Sequence, residues 1–258
     1  MTTKELDNEF DIRYNSIATN AAPSIDKYEK SVYLTRAQLE LVNNYFNPEG
    51  NKYKRGFEQS SKRRADLREL IRPGISTTSS TLTEDESLSE DSQTFRIPDN
   101  VYIIIQEKAR VIASYADTCL GGTYIKVVPK THDEFNTQEN NPFKKPDETV
   151  VWRLDMYTKS YGGQNTTDEN KIVELISPYD IDQYKFRYIV YPSPIILTNL
   201  LTDYPNEDLS IDGITAEQTC QLDEHIHSEI VNRAVELALA DYEPQKVPQK
   251  VEINKRNE

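Results

Sequence analysis

The chain has 258 residues with 30 basic and 43 acidic side chains, which gives a net charge of -13 at pH 7. This balance argues against a general nucleic-acid-binding protein, which needs cationic surface to displace counterions from phosphates. It does not exclude a protein past which nucleic acid slides, because a surface of the same sign repels the phosphates and does not bind them. An apolar run of about 18 residues, as a membrane span requires, is absent, and the N-terminal residues lack the apolar stretch of a secretory signal.

Residues 1–73 are predicted to be helical. The first helix is capped by Thr3 and stops before Pro23, and its apolar stripe consists of Leu6, Phe10, Tyr14 and Ile17. A short segment at 25–30 precedes a second helix, which a capping box of Thr35 and Gln38 would open. A third helix is predicted over 57–71, closed by the Pro-Gly pair at 73–74.

The third helix and its approach are locally basic, with eight cations against three acids. The cations are Lys52, Lys54, Arg55, Lys62, Arg63, Arg64, Arg68 and Arg72. A solvated helix face is one interpretation of such a run. The other is a contact with an acidic partner or with DNA phosphate, which gains weight because the remainder of the chain is acidic.

Residues 74–92 form an acidic loop rich in Ser and Thr, with the composition of a disordered segment. Residues 93–222 are predicted to be rich in β-strand and to form an antiparallel sheet or small sandwich. The expected strands are 102–105, 110–113, 124–128, 150–154, 172–176 and 186–191. Glycine pairs at 121–122 and 162–163 indicate turns, and Thr131 with Glu134 indicates a capped helical insert.

A C-terminal amphipathic helix is predicted over 223–242, capped by Asp223, and an extended tail over 243–258. Its expected apolar face contains Ile226, Ile230, Ala234 and Leu237, continued by Asp241 and widened by Val231, Val235 and Ala238. The predicted class is therefore α+β, with an N-terminal helical segment, a central antiparallel β-rich block and this helix and tail. We expect all these regions to form one integrated domain.

The chain offers little equipment for catalysis, with 3 His and 2 Cys. His225 and His227 would lie on nearly opposite faces of a helix and could not chelate together, and Cys119 and Cys220 are too few for a disulfide framework or a thiolate zinc site. His132 beside Asp133 and Glu134 is the best acid–base candidate, although a capping box explains the same residues. We therefore predict no catalytic, metal-binding or cofactor-binding residue and no enzyme; a hydrolase using His132 and nearby acids remains the alternative.

Several stretches together resemble the structural proteins of crAss-like podoviruses, most closely their head-to-tail connector or ring (adaptor) proteins. The stretches are EFDIRYN at 9–15, YEKSVYLTRAQ at 28–38, PKTHDE at 129–134, NPFKKP at 141–146, WRLD at 152–155, YIVYPSPIIL at 188–197 and IVNRAVELA at 230–238. They span most of the chain, and none of them is a catalytic motif.

The resemblance implies a virion protein at the head–tail interface. It implies a homo-oligomeric ring of twelve copies around the DNA exit channel, joined to the portal protein and to further ring or tail proteins. DNA would pass without sequence-specific binding, and the ring would help to retain the packaged genome. An assembly chaperone that is absent from the mature particle is the second alternative.

Overall fold

The computed structural model describes residues 1–17, 23–46, 60–77, 88–112, 120–139, 141, 143–156, 171–242, 248 and 251. The chain divides into two compact units, a helical unit of Met1–Leu70 with Pro192–Glu258 and a sheet unit of Ile71–Tyr191. The α+β class is confirmed, whereas the single integrated domain stays a prediction. None of the described helices combines the length and the apolarity needed to cross a membrane.

Six α-helices lie within the described residues. They are α1 (Thr3–Asn15), α2 (Lys27–Phe46), α3 (Ser61–Asp66), α4 (His132–Gln138), α5 (Leu200–Asp203) and α6 (Glu224–Tyr242). Only α4 belongs to the sheet unit. The predicted extended tail at 243–258 falls outside the described residues except for Pro248 and Val251, which are helical.

The cap of α1 is Thr2 and not Thr3, as the sequence had suggested. The Thr2 hydroxyl accepts from the Glu5 backbone N–H, and the Glu5 carboxylate accepts from the Thr2 N–H. Only Thr2 has a glutamate three residues later, so only Thr2 can form this reciprocal pair. Leu6, Phe10 and Tyr14 are buried as predicted, and Ile17 lies beyond the end of the helix.

The second helix is continuous over Lys27–Phe46, so the prediction of a separate short segment and a helix opening at Thr35 was wrong. Thr35 and Gln38 are buried in the middle of α2, together with Ser31 one turn earlier. The three polar residues recur on one face of the helix at i, i+4 and i+7. They bind another part of the chain instead of capping α2.

That other part is the extended segment 193–197 of the same unit. The Ile195 N–H donates to Thr35 Oγ1 at 3.0 Å and the Leu197 N–H to Ser31 Oγ at 3.0 Å. Gln38 Nε2 donates to the Ser193 carbonyl at 2.9 Å. Because Ile195 and Leu197 are buried, these side chains satisfy backbone groups that water cannot reach.

Helix α6 follows the prediction closely. The Asp223 carboxylate accepts from the His225 N–H at 3.3 Å, so Asp223 caps the helix as expected. The buried face contains Ile226, His227, Ile230, Val231, Ala234, Val235, Ala238 and Leu239. Leu239 takes the place predicted for Leu237, because the stripe at 231, 235 and 239 turns towards the core, while Asp241 is exposed.

The third helix is shorter than predicted. It runs over Ser61–Asp66 and is followed by a 3-10 turn at Arg68–Leu70, after which a strand begins at Ile71; residues 57–59 lie outside the described part. Proline disfavours the helical conformation in the residue that precedes it, and Arg72 precedes Pro73. This disfavours helix only next to the Pro-Gly pair, and the strand that begins at Ile71 ends the helical segment earlier than the sequence pattern suggested.

The sheet unit contains seven strands in the described residues. They are β1 (Ile71–Thr77), β2 (Ser92–Ile97), β3 (Val101–Val111), β4 (Tyr124–Pro129), β5 (Val150–Met156), β6 (Lys171–Ile176) and β7 (Ile181–Val190). Their order is β1-β7-β3-β4-β5-β6-β2. The neighbours pair antiparallel except β4 and β5, which are parallel because the connection through α4 returns the chain in the same direction.

Two details of the strands differ from the sequence prediction. The two segments expected at 102–105 and 110–113 are one strand, β3, whose inner and outer residues alternate through Glu107 and Lys108. Strands β1 and β2 were not predicted, since they lie at the ends of the supposed acidic loop 74–92. The turn predicted at 121–122 is present, with Gly122 at φ 77°, whereas the turn at 162–163 and loop residues 78–87 fall outside the described part.

One face of the curled sheet encloses the main core of this unit. The core residues are Phe95, Ile97, Val101, Ala109, Val111, Ile125, Val127, Val151, Val173, Leu175, Ile181, Tyr184, Phe186 and Tyr188. On the opposite face, Phe135 of α4 packs edge-on against Trp152 with ring centroids 6.3 Å apart. The capping box of Thr131 and Glu134 that opens α4 is confirmed.

Strand β1 lies at one end of the sheet and approaches β2 at the other end, but no backbone ladder joins the two. Gly74 faces the Phe186 ring so closely that a Cβ would lie 2.4 Å from it, so this position excludes a side chain unless the ring moves. Pro73 has no N–H to donate, which is tolerated in a strand only at an edge. The sheet therefore curls towards a barrel and leaves a seam between β1 and β2.

A buried ion pair on the inside of the curled sheet links the two strands that flank β4. Arg153 Nη1 of β5 lies 2.6 Å from Glu107 Oε1 of β3, and the two side chains are 9% and 7% exposed. Glu107 also accepts from the Tyr184 hydroxyl at 2.8 Å, and burial raises the pKa of its carboxyl. Asp155 binds the same guanidinium from the rim of the sheet, with 3.0 Å between Arg153 Nε and Asp155 Oδ1, and the Asp155 side chain is 71% exposed.

Substitution of Glu107 should therefore cost far more stability than substitution of Asp155. We expect Glu107→Ala to lower the free energy of unfolding by about 3–5 kcal/mol, because it leaves a buried guanidinium without its buried carboxylate. Asp155→Ala should cost about 1 kcal/mol or less, since the exposed pair is screened by water. Urea unfolding of both variants measures the difference, and equal losses would contradict the role of burial.

Candidate interaction surface

Five of the eight cations predicted to contact a partner lie in the described residues, on and after α3. Lys62, Arg63, Arg64 and Arg68 belong to the helical unit, and Arg72 lies on β1 of the sheet unit. Lys52, Lys54 and Arg55 fall outside the described part. The described residues therefore do not show the eight predicted cations as a single surface.

Lys62 and Arg68 are held by acidic residues at the start of α6. Lys62 pairs with Glu229, and Arg68 Nη2 lies 3.4 Å from Asp223 Oδ2. Asp223 is the cap of α6, so the pair joins the turn after α3 to the beginning of that helix. Part of the basic segment thus finds an acidic surface within its own unit, where sequence reasoning had looked for a neighbour.

Arg63 lies over an aromatic ring of α2. Its guanidinium carbon is 5.2 Å from the centroid of Tyr45, a distance at which a cation and a ring attract each other. The Tyr45 hydroxyl donates to Asp66 Oδ2 at 2.8 Å, and burial, with this hydrogen bond, raises the pKa of Tyr45. Arg63, Tyr45 and Asp66 thereby fix α3 against α2.

Arg64 is the basic residue of α3 most available to another molecule. It is exposed, and its Nη2 donates a long hydrogen bond to Ser61 Oγ, at 3.4 Å. It forms no ion pair with a carboxylate of the described residues. Arg72 is also exposed and donates to the Ile71 carbonyl at 3.1 Å.

The acid–base candidate at His132 is used for local structure. His132 and Asp133 are exposed in the first turn of α4, and the Glu134 carboxylate accepts from the Thr131 N–H in the capping box. Among the described residues, no group of three or more His, Cys, Asp or Glu side chains could hold a metal ion. Within the described part of the chain, His132 has no hydrogen bond or ion pair to a buried acid–base partner.

The other titratable candidates are structural. His225 is exposed and His227 is buried, which agrees with their expected separation around α6. Cys220 is a buried free thiol whose Sγ donates to Gln38 Oε1 at 3.2 Å, and burial raises its pKa to about 11. Cys119 lies outside the described residues.

Comparison with known proteins gives one family and two relatives. The family described as phage tail ring protein 3/4 matches residues 1–250. The chain is 39% identical over 264 residues to Ring protein 4/5 of Bacteroides phage crAss001, covering 100% of both chains. It is 35% identical over 239 residues to Ring protein 3 of the same phage, covering 93% of this chain and 95% of the relative.

The burial of His227 should make the stability of the helical unit depend on pH. Its Nε2–H donates to the Leu222 carbonyl at 2.9 Å, and its Nδ1 lies 3.0 Å from the Met1 nitrogen. Burial lowers the pKa of His227 below its usual 6.5, so the unfolded chain binds the proton more readily. The stabilisation is therefore complete above about pH 6.5 and is lost as the pH falls through the lowered pKa.

Thermal unfolding of wild type and His227→Gln between about pH 7.5 and 5 measures this contribution. We expect the stability of His227→Gln to fall less with decreasing pH than that of wild type. His225→Gln changes an exposed histidine of the same helix and should keep the wild-type slope. Parallel pH profiles for wild type and His227→Gln would contradict the assignment.

Proposed function

The chain belongs to the phage tail ring protein 3/4 family, and we propose that it is a structural subunit of a ring in the neck of a crAss-like phage particle. The observation that carries this proposal is the similarity along the whole chain to a named ring protein. A match of this length covers both compact units, so it concerns the architecture of the complete subunit and not one borrowed module.

The proposed ring is homo-oligomeric, with twelve copies around the DNA exit channel. A closed ring needs two different surfaces on each subunit that fit head to tail. Large apolar side chains exposed on both units suit such contacts. Ile12 and Leu201 are exposed on the helical unit, and Phe143 is 95% exposed on the sheet unit; aromatic residues are enriched at protein interfaces.

The proposed role is mechanical and not enzymatic. The ring would join the portal protein to further ring or tail proteins and line the channel through which DNA leaves. A net charge of -13 on each subunit would repel DNA of the same sign and let it pass without adhesion. The same ring would help to retain the packaged genome at the head–tail interface.

Two measurements test the ring. Native mass spectrometry of the purified chain should give a closed oligomer, and symmetry-resolved imaging of purified particles should place this chain in a ring between head and tail. A chain that stays monomeric and is absent from particles would overturn the proposal. A chain needed for particle formation but absent from mature particles would be an assembly chaperone.

The basic segment is proposed to contact an acidic neighbouring surface or the DNA, with Arg64 as its most available described residue. Arg64→Glu should reduce the yield of infectious particles about tenfold while the melting temperature of the subunit stays within about 1 °C, since Arg64 has no described acidic partner to lose.

Arg68→Glu is the matched control for Arg64→Glu. It places a carboxylate beside Asp223 and should lower the melting temperature of the subunit, because like charges then meet within the unit. Normal infectivity of Arg64→Glu particles would reject a partner contact at this position.

A further inference from the structure

Three lysines stand side by side on the outer face of the sheet unit. Lys108 of β3 is directly opposite Lys126 of β4 and, on its other side, directly opposite Lys185 of β7. Residues opposite each other in antiparallel strands project from the same face, about 5 Å apart. The flanking residues Ala109 and Tyr184 belong to the core, which fixes the lysines on the outside. We call Lys126, Lys108 and Lys185 the cationic row.

The cationic row lacks counter-charges in the described part of the chain. None of its three ammonium groups forms an ion pair with a described carboxylate, and Lys185 instead lies 4.5 Å from the ring centroid of Tyr124. Like charges directly opposite one another destabilise a sheet. The isolated unit therefore carries a repulsion that a bound anionic group would relieve.

A neighbouring arginine on the same face shows the contrast. Arg110 Nε and Nη2 donate to the two carboxylate oxygens of Asp182 at 2.8 and 2.7 Å. This bidentate pair neutralises the charge of Arg110, which is the residue of β3 that follows Lys108 on the same face. The sheet thus provides a carboxylate for one cation and leaves the three adjacent cations without one.

Apolar and aromatic groups extend the cationic row into a surface suited to protein contact. Ile75 of β1 is directly opposite Lys185 and is 63% exposed. Tyr124 is also exposed, and its hydroxyl donates to Gln183 Oε1 at 2.9 Å, which holds the ring on this face. Arg187, two residues after Lys185, adds a further exposed cation. Aromatic residues and arginine are enriched at protein interfaces.

We propose that the cationic row, with Ile75 and Tyr124, binds an acidic surface of a neighbouring copy of this chain. Charge complementarity favours that occupant. Each copy carries 43 acidic against 30 basic side chains, so a sister subunit presents abundant carboxylates. Such a contact offsets the mutual repulsion of subunits that each carry -13, whereas the same net charge disfavours DNA as the occupant.

This inference rests on the proposed ring. The variant Lys108→Glu distinguishes a lysine that binds a neighbouring copy from one that the fold needs. The new carboxylate would lie between Lys126 and Lys185 and should raise the melting temperature of the subunit by about 1–3 °C. The same change should weaken assembly by roughly tenfold or more, because the surface for the acidic partner is lost. Assembly of wild type should also weaken between about 0.05 and 0.5 M NaCl. A lysine needed for the fold would instead lower the melting temperature.

Lys4→Glu is the charge-matched control, since Lys4 is exposed in the first turn of α1 and lies outside the row, on the helical unit. Native mass spectrometry of wild type and both variants reads assembly, and fluorescence anisotropy with a DNA duplex of about 20 base pairs reads nucleic-acid binding at low salt. If wild type and Lys108→Glu assemble equally well, the proposed ring is supported, but the cationic row is not the contact between its subunits. A monomeric wild type contradicts both proposals, and duplex binding lost in Lys108→Glu would overturn the choice of partner.

Discussion

The helical unit depends on how the buried main chain at 193–197 is hydrogen-bonded. Ile196 of this segment exchanges two main-chain hydrogen bonds with Gln218, but its neighbours need other partners, since each buried N–H or carbonyl left alone costs free energy comparable to a lost hydrogen bond. Ser31, Thr35 and Gln38 provide the missing partners from one face of α2. Helices α1 and α6 then pack their apolar stripes around an interior that already has its polar groups satisfied.

The same three residues show why sequence reasoning reached the fold class but not all of its elements. Two local signals with a near partner were read correctly, the capping box at Thr131 and the cap at Asp223, while the cap of α1 was misplaced by one residue. Thr35 and Gln38 were read as a helix start because their true partners lie about 160 residues further along the chain. The facing lysines at 108, 126 and 185 were also missed, since strand register brings them together and spacing in the chain does not.

The resemblance to ring proteins of crAss-like phages, drawn from short stretches of sequence, is confirmed by the family match and by both relatives. The distribution of charge adds what a resemblance cannot provide. Acids at the start of α6 engage Lys62 and Arg68, and Asp182 engages Arg110. Arg64 and the lysines at 108, 126 and 185 form no ion pair with a carboxylate of the described residues, and these are the positions that we propose for contact with another molecule.

The unbonded seam between β1 and β2 has a mechanical consequence. Because Pro73 offers no donor and no ladder bridges the two strands, the gap can widen or narrow without breaking a main-chain hydrogen bond. The approach of β1 to β2 then depends on side chains, whereas strands that are neighbours in the sheet order are also joined by main-chain ladders. We therefore expect the curvature of the sheet to change more easily at the seam than between strands that share a ladder.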